Sequence, residues 1–102
     1  MNMPELLFLK LMEECAEVQQ CAAKLLQFGP DESQPTAPRN LGGENPPGGT
    51  NRERLQAEIL DLCAVVHLLG FRYPTIEEIS TKETKIERYL TYSKECGTVW
   101  EK

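Results

Sequence analysis

The sequence predicts an all-α fold: a helical bundle of three main helices per chain, with a four-helix core completed by oligomerisation. Three observations carry the prediction. Apolar residues recur at helical spacing in three separate stretches. Each stretch is bounded by residues that start and stop helices. No stretch shows sustained strand alternation, since Phe71 to Tyr73 is short and runs into Pro74.

The first helix is expected over residues 4–28. Pro4 suits the first turn, where its missing N–H costs nothing. Leu7, Leu11, Val18, Ala22 and Leu25 form a stripe that Phe8, Met12, Cys15 and Leu26 widen. Gly29 followed by Pro30 supplies the stop. The stretch 29–50 differs in kind. Residues 29–49 hold five of the seven prolines and five of the seven glycines, and no hydrophobic period survives there. The composition predicts a long loop inserted between two helices, either a lid or clasp or a tolerated insertion.

The second helix is expected over 51–69, opened by Thr50 and Glu53 at capping-box spacing. Its apolar arc is Leu55, Ile59, Leu62, Val65, Val66, Leu68 and Leu69, and Gly70 ends it. The third helix is expected over 76–96. Thr75 and Glu78 form a second capping box, and Gly97 is the stop. Its stripe of Ile76, Ile79, Ile86 and Leu90 is thin. Leu7, Leu11, Val18 and Leu25 can oppose Leu55, Leu62, Val66 and Leu69, but Phe8, Met12, Leu26 and Ile59 remain to be covered. That surplus predicts a homodimer or homotetramer.

The chain has 102 residues, which fits one domain. Its formal net charge is −5, from 16 acidic and 11 basic residues. That balance argues against binding nucleic acid through a basic face and suits cation binding. No apolar run is long enough for a membrane span, and the N-terminus lacks a secretory pattern, so a cytoplasmic location is expected. Cys15, Cys21, Cys63 and Cys96 show no zinc spacing and are expected to be free thiols in a reducing compartment.

The chemistry lies in carboxylates that fall on apolar faces. Glu14 sits between Leu11 and Val18 in the first stripe, with Glu17 at its flank. Glu58 and Asp61 fall within the second arc at i, i+3, so they project from one face. A buried carboxylate without compensation costs several kcal/mol, in rough terms. Lys10, Lys24 and Arg54 are near enough in sequence to form salt bridges. A hard divalent cation is the other compensation, and paired acids on facing helices are a familiar way to hold one.

Glu13-Glu14-Cys15-Ala16-Glu17 reads as EExxE, and Glu58-Ile59-Leu60-Asp61 as ExxD. In this order, on apolar helix faces, the two resemble the signature of the all-α nucleoside triphosphate pyrophosphohydrolases, the MazG-like superfamily. That superfamily includes dimeric dUTPases and dCTP pyrophosphatases. The resemblance implies a single MazG-like domain over 1–102, interrupted by the 29–50 loop. It implies Glu14, Glu17, Glu58 and Asp61 as ligands of magnesium, with manganese as a substitute. It further implies hydrolysis of a nucleoside or deoxynucleoside triphosphate to the monophosphate and pyrophosphate. Catalytic roles fall to Glu17, which would orient or deprotonate the attacking water, and to Glu13 as a supporting acid, although Glu13 points further from the core and also reads as a surface acid.

Lys24, Lys82 and Lys85 are candidates for the substrate phosphates, with a solvated basic surface as the other reading. Asn51 either touches substrate or caps its helix. Phe28, Tyr89, Tyr92 and Trp100 are available to meet a base, and the sequence assigns none of them. His67 falls on the polar side of its helix, as a surface or interface residue. Two features depart from the family pattern. Forty residues lie between Glu17 and Glu58, more than is usual, and three helices are seen where the family core has four or more. Two other functions compete: a metal- and nucleotide-binding regulatory protein with little turnover, and a structural helical interaction protein whose acids pair with lysines.

Overall fold

A computed structural model describes residues 1–33 and 49–99. The middle of the Pro/Gly-rich loop, residues 34–48, and Trp100 lie outside the described residues. Three helices and no strands are present among the described residues: α1 (Met3–Phe28), α2 (Asn51–Leu68) and α3 (Ile76–Glu95). Each boundary falls within one residue of the sequence expectation, because the capping chemistry is local.

Asn2 caps α1, its Oδ1 accepting from Glu5 N at 2.9 Å, and Pro4 occupies the first turn. Gly29, at φ 97°, closes the helix by donating its N–H to Leu25 O. Thr50 and Glu53 form a reciprocal capping box on α2. The Thr50 N–H and hydroxyl both bond Glu53 Oε1, at 3.0 Å each, and hold the Glu53 carboxyl below its ordinary range. That arrangement explains Gly49, where φ is 63° and an added Cβ would stand 2.5 Å from Glu53 Oε1. Thr75 and Glu78 cap α3 in the same way.

The chain divides into two compact units, Met1–Phe71 and the remainder from Arg72. In the first, α1 and α2 pack together as an antiparallel hairpin. Gly29 at the end of α1 lies beside Asn51 at the start of α2, whereas Glu14, further back on α1, lies beside Glu58 and Asp61, further on along α2. Leu7, Leu11, Val18 and Leu25 are half-buried along this seam, as are Leu55, Leu62, Val65, Val66 and Leu69. The opposition expected from their spacing is therefore present.

No hydrophobic side chain among the described residues is fully buried. A two-helix seam covers one stripe per helix and leaves the flanks in water. Phe8, Met12, Leu26 and Ile59, the residues expected to be left over, are exposed by 50%, 63%, 84% and 38%. In the second unit, Ile76, Ile79, Ile86 and Leu90 of α3 are also exposed. Arg72 lies just before α3 and grips Glu78 with both guanidinium nitrogens, at 2.5 and 2.6 Å. With the Thr75 N–H, this pins the first turn of the helix. No helix among the described residues is long and apolar enough to cross a membrane.

Candidate metal centre

The antiparallel register brings the two motif helices together at their acids. Glu14 from α1 and Glu58 and Asp61 from α2 each offer a carboxylate oxygen, and these atoms all lie within 4.8 Å of one another. The cause is helical geometry. Glu58 and Asp61 stand one turn apart on α2, and Glu14 reaches them across the seam from between Leu11 and Val18.

The electrostatics are those of crowded anions. Glu14 is raised above the ordinary carboxyl range, first by burial and then by the charges of Glu17 and Asp61. Glu58 is raised in the same direction, by burial and then by Glu17, Asp61 and Glu14. Glu17 thus lies close enough to act on both, although it stands outside the three-acid cluster. Two buried oxygens, Glu14 Oε2 and Glu58 Oε2, have no hydrogen-bond partner. A buried acceptor in that state carries an uncompensated desolvation cost.

A divalent cation fits this donor set. Hard cations take carboxylate oxygens, and opposite ligands of magnesium stand about 4.2 Å apart at bond lengths of about 2.1 Å. Three oxygens on one octahedral ion include neighbouring ligands about 3.0 Å apart, so the carboxylates would draw together on binding it. Burial is shallower than the apolar arcs imply: Glu14 and Glu58 are half-buried, whereas Asp61 is exposed. Asp61 therefore sits at the rim of the seam rather than inside the arc, because one neighbouring helix cannot cover the whole arc of α2.

The other candidate residues are placed as follows. Glu13 points to solvent and pairs with Lys10 at 2.9 Å. This ion pair is the main cause that raises the Lys10 pKa, and the charges of Glu14 and Glu17 add to it. Lys24 is exposed on α1, near Cys21. Cys21 is half-buried; burial and then Glu58 push its thiol up, against the opposing charges of Lys24 and Arg54. Lys82 and Lys85 are exposed on α3, in the second unit. All four cysteines are free thiols.

Asn51 corrects the sequence reading. Thr50 is the cap of α2, and Asn51 is buried, with 2% exposure, so it is placed neither to cap the helix nor to meet a ligand in solvent. Its Nδ2 donates to Gly29 O at 2.8 Å and to Glu32 Oε2 at 2.9 Å. The signal was in the spacing. Asn51 precedes Glu58 by two helical turns, so both residues share the face turned to α1. No protein-family model, curated protein or solved structure matches the chain.

Proposed function

We propose that this chain is a magnesium-dependent nucleoside triphosphate pyrophosphohydrolase, cleaving its substrate to the monophosphate and pyrophosphate. The observation that carries this reading is the convergence of Glu14, Glu58 and Asp61 with two buried oxygens that lack partners. The EExxE and ExxD spacing, with its resemblance to the MazG-like superfamily, supplies the reaction class. Glu14, Glu58 and Asp61 would hold the ion, with Glu17 beside them.

Bound there, magnesium supplies positive charge for the phosphate oxygens and acidifies water for attack at neutral pH. Glu17, exposed next to Glu14 and Glu58, would orient a water and accept its proton. Glu13, paired with Lys10, would be a supporting acid at the edge of the site. Lys24, Lys82 and Lys85 would neutralise substrate phosphates. The exposed Phe8, Met12, Leu26 and Ile59 support association into a homodimer or homotetramer.

The test is a panel of ribo- and deoxyribonucleoside triphosphates with magnesium, read by pyrophosphate release. Release from at least one substrate, abolished by chelation, is the expected result. Magnesium binding without turnover on the whole panel would replace this reading with a nucleotide-binding regulatory role.

A further inference from the structure

The apolar seam of the hairpin that carries the acids sets which faces meet, but its residues recur by whole turns, so the period alone does not fix the axial register. Its facing apolar residues are half-buried, and among the described residues no hydrophobic side chain is fully buried to lock α1 against α2. What is fully buried at the seam is polar. Asn51 spends both N–H groups of its amide, one on Gly29 O just past the end of α1 and one on the Glu32 carboxylate. The backbone doubles the tie. Asn51 N donates to Glu32 O at 2.9 Å, and Arg52 N donates to Pro30 O at 3.0 Å. The start of α2 is thereby fastened to the four residues that follow α1.

This fastening bears on the acids through helix geometry. Glu58 stands seven residues beyond Asn51, about 10.5 Å along the axis and within about 20° of the same face. A slip of α2 by one turn would keep its apolar face on α1 but move Glu58 and Asp61 by about 5.4 Å along the axis. After that shift the two carboxylates no longer both reach Glu14. Buried polar residues are known to fix helix register at positions where apolar packing tolerates several.

We propose that Asn51, clamped by Glu32 and Gly29 O, is the positioning residue that sets the register of α2 and so assembles the cation site at Glu14, Glu58 and Asp61. The clamp touches neither ion nor substrate and acts through the helix. The proposal rests on the metal reading of the acid cluster for its functional consequence.

The experiment titrates manganese into the full-length chain, detected by electron paramagnetic resonance, alongside methyl NOE spectra of the metal-free protein. Asn51→Ala weakens manganese binding about tenfold, the usual scale for losing a group that orients metal ligands. Glu32→Ala weakens it in the same direction, and Glu32→Gln restores it, because the glutamine carbonyl still accepts from Asn51 Nδ2. A purely electrostatic effect of Glu32 on the ion would make those two variants alike, which would overturn the proposal, as would unaltered binding by Asn51→Ala. If Asn51→Ala does not fold, the Glu32 pair decides. If the unaltered chain binds no manganese, the metal reading fails, and the clamp is judged on the NOEs alone. Contacts of Leu11 and Val18 with Leu55 and Leu62 that shift or multiply on loss of the clamp support it, and unchanged contacts overturn it.

Discussion

Asp61→Asn separates a metal site from a merely acidic surface, because it is expected to change stability in opposite directions with and without metal. Two unit charges 4.8 Å apart, the limiting separation in the cluster, repel by about 0.9 kcal/mol in water. Screening at physiological ionic strength reduces the Glu58–Asp61 term to about 0.5 kcal/mol. Without metal, the substitution therefore raises the melting temperature by about 2–4 °C. With metal the order reverses. Ligands from both helices meet only in the folded hairpin, so magnesium at one hundred times its Kd stabilises the unaltered chain by about 2.7 kcal/mol. A variant that binds about tenfold more weakly gains about 1.4 kcal/mol under the same conditions. The unaltered chain then leads by about 0.8 kcal/mol, the difference in linkage less the relieved repulsion. Thermal unfolding followed by circular dichroism, in chelator and in magnesium, reads both halves. Equal magnesium stabilisation of the two proteins, or none of either, would refute the reasoning.

Four further outcomes are expected. Asp61→Ala, Glu58→Ala and Glu14→Ala abolish magnesium-dependent pyrophosphate release while keeping the helical signal, whereas Glu13→Ala is milder because Glu13 is engaged by Lys10 outside the cluster. In a metal-free pH titration, Glu14 and Glu58, both raised in the folded chain, bind more protons folded than unfolded. Their stabilising contribution is present below the unfolded pKa and is lost as pH rises through the folded values, and saturating magnesium reverses that dependence, as urea unfolding across the range will show. Glu78 has the opposite sign: Arg72 and the Thr75 N–H hold it at about 2, so the start of α3 loosens as pH falls from 4.5 toward that value, read by amide exchange. Light scattering at micromolar concentration gives a mass at least twice 11.6 kDa, and a monomer mass would remove the shared-core reading.

Much of the fold was legible because its signals are local. Asn2 and Pro4, Thr50 with Glu53, and Thr75 with Glu78 start helices through hydrogen bonds within a single turn, so residue spacing suffices to find them. The seam was legible too, since Leu11, Val18, Leu55 and Leu62 repeat at a period that allows only one face to be buried. The sequence also brought forward Glu14, Glu58 and Asp61 as apolar-face acids, and those three meet.

Other features depended on what each helix packs against. Helical spacing puts Asp61 inside an apolar arc, but burial depends on how many neighbours cover that arc, and α1 leaves Asp61 at the rim. The family resemblance gave Glu17 and Glu13 catalytic roles, with Glu13 also read as a surface acid; Glu13 pairs with Lys10 one turn away on the same helix, and only the packing of α2 against α1 brought Glu17 beside Glu58. Asn51 read as a helix-start residue because its partners, Gly29 O and Glu32, are brought to it by the return of the chain. A residue's type and period state which face it occupies. Only the packed structure states what stands opposite, and that decides whether a polar group caps a helix, meets solvent or holds two helices in register.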